Sequence, residues 1–377
     1  MEDLVEILSR LYSFKKDTPT IWQEALVKHK VKEEEWEGVK FFRLDKPVHS
    51  LERGTILSDD GIIRGYPRIR RILNLSNGIK RNLSGTFYVE EKVDGYNVRV
   101  ARLEGRVVAL SRGGYVCPFT TDRLPDLIDY EPFFDENPEL VLCCEVAGPE
   151  SPYNTESPPY IKEDVKLFVF DIMRKGGQVL SPKERYRLAE KYSLPVVKSY
   201  GSFTPEDTEK VLEIAGEMDR EGLEGMVLKP EQGGRYLKYT VPSSHINDIR
   251  ATAILVKDIP CGFYLKRILM LGFALKELKV EDSTRRAHLL GEVFTSAIKE
   301  AQEIVLSGKE ITERFTVRFR KKENMERFFS LFRKAPVDVK ILSEELKDGY
   351  IRVTFDRIYR RSTAFTRSSL GGATFVD

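Results

Sequence analysis

Hydrophobic spacing divides the chain into four stretches. Leu4, Ile7, Leu8 and Leu11 recur three and four apart, the period of an amphipathic helix. A charge-rich run from Lys30 to Glu37 follows, and Phe41-Phe42-Arg43-Leu44 reads as a strand. Residues 1–63 are therefore expected to form a small α+β module. From 64 to 240 the pattern is that of strands. Thr86-Phe87-Tyr88-Val89 is strand-like, Asn97 to Arg102 alternates polar and apolar, and Glu104-Gly105 turns the chain into Val107-Val108-Ala109-Leu110 as hairpin partner. Leu140 to Val146, Val165 to Ile172, Met226 to Lys229 and Arg235 to Lys238 are further strands. Ser181-Pro182 and Thr204-Pro205 each set a capping hydroxyl before a proline, which starts a helix. The outcome is a strand-dominated α+β domain built on antiparallel hairpins.

The period changes again over 241–315. Leu290, Val293, Phe294, Ala297, Ile298, Ala301, Ile304 and Val305 form one helical stripe, with Asp282-Ser283 as N-cap and Gly308 as C-cap. Gly262 to Leu278 is a second, very apolar helix. Two such helices carry more apolar surface than one hairpin hides, so they pack on the rest of the chain or on a second copy of it. Residues 316–377 read strand, helix, strand, strand. The helix aligns Met325, Phe328, Phe329 and Phe332, and Asp348-Gly349 marks a hairpin turn.

Composition narrows the class. The 377 residues suit two to three domains. No apolar run approaches a membrane span, and Met1-Glu2-Asp3-Leu4 lacks the features of a signal peptide. Cys117, Cys143, Cys144 and Cys261 form no CxxC pair or Cys/His set, which argues against a disulfide framework or zinc finger and for a reducing cytoplasm. Lys plus Arg number 61 against 59 Asp plus Glu, so a uniformly cationic nucleic-acid wrapper is excluded while a local basic groove is not. With only four glutamines, that charge balance resembles a thermophile's. His29, His49, His245 and His288 are scattered and read as structural.

The sharpest chemical signal is Glu90-Glu91-Lys92-Val93-Asp94-Gly95-Tyr96-Asn97, a strand running into a glycine turn and out into a second strand. It holds a lysine among carboxylates. Five short sets follow in fixed order: Ser111-Arg112-Gly113-Gly114, Glu145-Val146-Ala147-Gly148, Leu167 to Ile172, Glu224 to Lys229, and Arg235 to Thr240. This series resembles the covalent nucleotidyltransferase superfamily of ATP-dependent DNA ligases, RNA ligases and RNA capping enzymes. Lys92 to Asn97 looks like motif I, KxDGxN, and the later sets look like motifs Ia, III, IIIa, IV and V. The whole-chain plan is most similar to homodimeric archaeal-type RNA ligases.

That resemblance implies an antiparallel-sheet nucleotidyltransferase (ATP-grasp-like) catalytic domain at 64–240, an accessory module at 1–63, a helical dimerisation region at 241–315 and an α+β module at 316–377. It implies ATP and Mg²⁺ or Mn²⁺ as cofactors, and RNA with 5′-phosphate and 3′-hydroxyl ends as substrate, with single-stranded DNA tolerated at most. Lys92 is the implied nucleophile, which must shed its proton to attack the α-phosphorus. Lys238 and Lys229 are the implied cations at that phosphate, expected also to lower the Lys92 pKa. Many relatives carry K-x-K in motif V, whereas Lys238 here precedes Tyr239-Thr240, and Lys229 is expected to fill the missing place. Phe170 is implied to stack on adenine. Glu145 is implied to accept from ribose, Glu90 to read the adenine amino group, and Val93, Asn97 and Arg112 to line the nucleotide site. Glu224 is the expected metal organiser. Asp94, Gly95 and Asp171 are read as turn or structural residues. Asn97, rather than arginine, at the end of motif I favours the RNA-ligase branch, and the helical region after Thr240 replaces the barrel of DNA ligases and capping enzymes. The alternatives are a capping-type guanylyltransferase and a non-catalytic RNA-binding protein on the same scaffold. Arg64 to Arg71, basic and aromatic, suits phosphate contact or a solvated face.

Overall fold

The computed structural model describes residues 2–15, 17–280, 283–334 and 337–374. The expected N-cap Asp282 lies outside them. Helices α1 (Glu2–Leu11) and α2 (Thr18–Val27) pack on a four-stranded sheet, β1 (Val31–Trp36), β2 (Val39–Leu44), β3 (Ile56–Ser58) and β4 (Gly61–Ile63). Trp22, at zero exposure, sits at the centre of this layer with Leu8, Leu44 and Leu57.

Two sheets carry the central part of the chain. One has the order β10-β9-β7-β8, from β7 (Tyr96–Leu103), β8 (Arg106–Ser111), β9 (Leu140–Ala147) and β10 (Lys166–Arg174). The other has the order β11-β6-β12-β13-β5, from β5 (Arg70–Arg71), β6 (Phe87–Glu91), β11 (Ser199–Phe203), β12 (Gly225–Pro230) and β13 (Leu237–Thr240). Every pairing is antiparallel except β13 with β5. The chain leaves the second sheet at β6 and enters the first at β7, so the Lys92–Gly95 turn bridges them. Helices α3 (Leu75–Asn82) and α7 (Thr208–Glu221) cover the second sheet through Ile79, Val211 and Met218. Helix α6 (Pro182–Lys191) follows β10, and the expected cap at Ser181 is completed into a capping box by Glu184.

The first sheet is apolar on both faces. Ala101, Leu110 and Cys143 meet Trp36, Phe41 and Ile63 of the N-terminal layer. Val98, Val100 and Leu142 meet α4 (Pro118–Leu127), α5 (Glu131–Glu136) and the C-terminal module. That module is a sheet of order β14-β16-β15, from β14 (Thr312–Phe319), β15 (Asp338–Lys347) and β16 (Tyr350–Ile358), with α11 (Lys322–Lys334) on it. Its Phe319, Phe328 and Phe355 share one core with Phe119 and Leu142. A polar seam surrounds the contact. Arg318 pairs with Glu150, and the buried Asp122 carboxylate accepts from Lys321 N at 3.2 Å and Asn324 Nδ2 at 2.9 Å.

The segment after Thr240 holds three helices where two were expected: α8 (Pro242–Thr252), α9 (Cys261–Glu277) and α10 (Ser283–Leu306). Pro242 starts α8 because its missing N–H falls where the first turn leaves donors unpaired. A last helix, α12 (Arg360–Leu370), is added to the strand, helix, strand, strand order expected for the C-terminal module. Its Ser- and Thr-rich sequence is a weak helix former. It is held by tertiary bonds: Ser362 Oγ accepts from Lys257 N at 3.2 Å, and Thr363 Oγ1 accepts from Ile311 N at 2.9 Å. No helix among the described residues is long and apolar enough to cross a membrane.

The Phe328 ring packs against Phe319, Phe329, Phe332 and Phe355. Phe328→Ala is therefore expected to destabilise the C-terminal module by about 3–5 kcal/mol, the usual range for a buried ring. Urea unfolding followed by fluorescence checks this; an unchanged midpoint would show that the ring is not part of the core.

Candidate active site

The site is assembled where β6 crosses to β7. Lys92 N donates to Gly225 O at 2.8 Å, which fastens the end of β6 to β12. Gly95 then passes so close to β9 that a Cβ there would lie 2.3 Å from Val146 O, so no larger residue fits without moving the strand. Asn97 and Glu145 face each other across β7 and β9, and the Asn97 amide hydrogen-bonds the Glu145 carboxyl. A register shift between Val169 and Asp171 inserts Phe170 as an extra residue in β10. Such a bulge re-aims a side chain, and here the Phe170 ring reaches the space between the sheets, edge-on to Tyr66 with centroids 5.2 Å apart. Lys238 stands opposite Val227 on β13, with Arg71 beside it on β5.

Most of these side chains line one cleft that is open to solvent. Glu90, Lys92, Val93, Asn97, Arg112, Glu145, Phe170, Lys229 and Lys238 all reach its wall. Glu224 reaches it through Lys92, its carboxylate paired with the Lys92 ammonium. Asp94 and Glu224 also border a smaller acidic hollow with Glu91 and Glu156.

Charge is unevenly distributed along the cleft. Burial alone would lower the Lys92 amine, but the carboxylates of Glu224, Glu145 and Asp94 outweigh it and hold the amine above the usual lysine value. This corrects the expectation that neighbouring cations depress it. Burial drives the Glu145 carboxyl up to about 7, against the pull of Lys92, and burial with the Glu224 charge drives Asp94 up to about 8. Lys238 goes the other way, to about 8, through burial and the positive charge of Arg71, Lys92 and Arg112. Neither Lys238 nor Arg112 has a carboxylate in ion-pair contact among the described residues. One end of the cleft thus carries unbalanced positive charge, a setting that attracts phosphate.

Lys229 does not share that end. Its buried ammonium donates to Phe170 O at 2.5 Å and Asp171 Oδ1 at 3.0 Å, and lies 3.0 Å from Glu90 Oε2. Its three protons are thus occupied by three oxygens, which leaves none for a phosphate. Glu90 is likewise engaged. Arg185 grips both its oxygens, Tyr186 Oη donates to Oε1 at 2.8 Å, and Lys229 closes on Oε2. The resulting low pKa, about 2, sets the cations against burial, which raises it. Asp171 accepts from Lys229 and from Tyr66 Oη, in line with its structural reading. The basic segment divides. Arg64 pairs with Glu52, Arg71 bonds Thr240 Oγ1, and Arg68 and Arg70 remain exposed.

The RNA ligase family model matches residues 85–240, and a model of the ligase Pab1020 C-terminal region matches 251–373. An archaeal ATP-dependent RNA ligase superposes with TM-score 0.91 at 30% identity, over 98% of this chain and 99% of that one. The chain belongs to the RNA ligase family. A putative ATP-dependent DNA ligase from Aquifex aeolicus is also similar, with 40% identity and TM-score 0.91 over 95% of this chain and all of that one. An uncharacterized protein of Methanocaldococcus jannaschii is 31% identical over 360 residues, 91% of this chain and 90% of its own length.

In this RNA ligase every motif lies in one chain around one cleft. Sequence reading missed Arg185 and Tyr186, which sit on a highly charged helix and look like surface residues there, and it missed Tyr66 as the partner of Asp171. No signal in the sequence marks Arg185, because its carboxylate partner lies 95 residues away. No group of three His, Cys, Asp or Glu side chains among the described residues converges as a metal-ligand set. The buried Glu224 Oε2 has the Lys92 ammonium against it but no well-aligned hydrogen-bond donor. That donor set fits a hard cation held by one or two carboxylates with phosphate and water completing its shell, the way Mg²⁺ is usually bound.

Lys238 loses its charge as pH rises through about 8. Affinity for ATP, measured by calorimetry across pH 6.5–9.5, is therefore expected to weaken above pH ~8. Lys238→Arg keeps the charge and should move that fall upward. A flat wild-type profile would refute the assignment.

Proposed function

We propose that this RNA ligase seals 5′-phosphate and 3′-hydroxyl ends through a lysyl-AMP intermediate on Lys92. The observation that carries the reading is the cleft itself, where a lysine amine, an unbalanced cationic end and an aromatic ring line one open hollow. In the first step the neutral Lys92 amine attacks the α-phosphorus of ATP, a P–N bond forms, the nitrogen gives up one proton to solvent, and the α–β phosphoanhydride breaks to release pyrophosphate. In the second, an oxygen of the RNA 5′-phosphate attacks the same phosphorus, the P–N bond breaks and the amine regains a proton. In the third, the 3′-hydroxyl attacks the RNA 5′-phosphorus, loses its proton and expels AMP. Each displacement is in line, so positioning and charge neutralisation govern it.

Lys238 and Arg112 are the cations assigned to the phosphates, Phe170 to the base, and Glu145 with Asn97 to the ribose. A bound Mg²⁺ or Mn²⁺ would supply further positive charge at the phosphates, and Glu224 is the residue that would hold it. When the Glu224 carboxylate is engaged elsewhere it no longer holds the proton on Lys92. Burial then favours the neutral, nucleophilic amine.

Lys92→Ala is expected to abolish the covalent adenylate, read as an intact-mass shift after ATP exposure, and with it the joining of 5′-phosphorylated RNA. An adduct formed with GTP in place of ATP would favour a capping-type enzyme. RNA joining by Lys92→Ala alone would end the covalent scheme.

A homodimer is part of the same reading. Leu265 and Leu269 of α9 are 71% and 53% exposed, with Ile268 and Phe273 beside them, an apolar face that a second copy would cover. Leu265→Glu with Leu269→Glu is expected to yield a monomer by sedimentation velocity; a wild type that is monomeric at all concentrations would remove the dimer. A cytoplasmic location is supported by four free cysteines, three of them buried.

A further inference from the structure

The base end of the cleft rests on a residue outside all six motif segments. Arg185 projects from α6 and is 1% exposed. Its Nη1 donates to Glu90 Oε2 at 2.9 Å, its Nη2 pairs with Glu90 Oε1, and Nη1 also reaches Phe170 O. Asp171 Oδ1 lies 3.8 Å away. One guanidinium therefore ties three strand residues from two different sheets: Glu90 of β6, and Phe170 and Asp171 of β10. No backbone pairing joins β6 to β10, since the two belong to separate sheets.

We propose that Arg185 is the positioning residue of the base pocket: it fixes the Glu90 carboxylate and the Phe170 backbone relative to each other, and through them sets how tightly ATP is held and how well a 6-oxopurine is rejected. The inference rests on the cleft being the ATP site. Its physical basis is geometric. A planar fork satisfies both carboxylate oxygens and reaches a carbonyl at once, which a lysine cannot do. The carboxylate oxygens so held stand at a fixed place on the cleft wall, with Arg185 and Lys229 offsetting their charge. A purine amino group meets carboxylate oxygens favourably, whereas a keto oxygen in the same place is repelled by their lone pairs. The bulged Phe170 has lost a regular ladder position, so its carbonyl depends on the two side-chain donors Arg185 and Lys229.

The test compares wild type, Arg185→Lys, Arg185→Met and Tyr186→Phe for lysyl-AMP formation with ATP and with ITP, which differs from ATP at the purine 6-position. Arg185→Met is expected to raise the ATP KM about 10- to 100-fold, the scale of a displaced positioning group, and to lower the ATP-over-ITP preference. The maximal adenylation rate should change much less. Arg185→Lys should fall between, and Tyr186→Phe, which removes a single donor from Glu90, should give a smaller shift in the same direction. If the Met variant does not fold, the Lys and Phe variants still decide the matter. Wild-type KM and base preference in the folded variants would overturn the proposal, as would a loss confined to melting temperature or to maximal rate. A wild-type enzyme that takes up no adenylate would instead defeat the underlying reading of the cleft.

Discussion

A half-buried ammonium facing carboxylates is the constraint around which this molecule is organised. Lys92 sits where one sheet hands the chain to the other, paired with Glu224 and within the field of Glu145 and Asp94. Those charges stabilise the protonated amine and so restrain it from acting as a nucleophile.

Behind the cleft lies a second, self-contained group of charges. Glu90, Asp171, Lys229 and Arg185 are all almost fully buried, two of each sign. Such networks are costly to break one member at a time, on the order of 3–5 kcal/mol, because a lone buried charge remains. Here the network also links β6 to β10 at one wall of the cleft. It separates the two lysines that resemblance to the family would group together. Lys238 has no carboxylate in ion-pair contact among the described residues and lines the cleft, while Lys229 is spent on holding Phe170 and Asp171.

The outer modules make this frame rigid. The N-terminal layer covers one face of the first sheet, and the phenylalanine-rich C-terminal module merges its core with the other. Ion pairs such as Arg318 with Glu150 ring the second contact. The catalytic sheet is thus buried on both faces, which explains why its strands read as nearly continuous apolar runs such as Leu140 to Val146.

Local pattern alone determined a good deal. The β7–β8 hairpin, the proline-started α6, the apolar α9 and the Asp348-Gly349 turn were all legible, because each depends on neighbours in sequence. The ordered motif segments likewise pointed to one cleft and to Lys92, since each is a short strand or turn with its functional side chain at a fixed offset. Tertiary structure alone decided the rest. The direction of the Lys92 shift, the burial of Lys229, the clamp made by Arg185 and the docking of α12 all depend on which distant groups meet. A lysine's charge state and a helix arginine's role are set by partners tens or hundreds of residues away, and no local spacing encodes them.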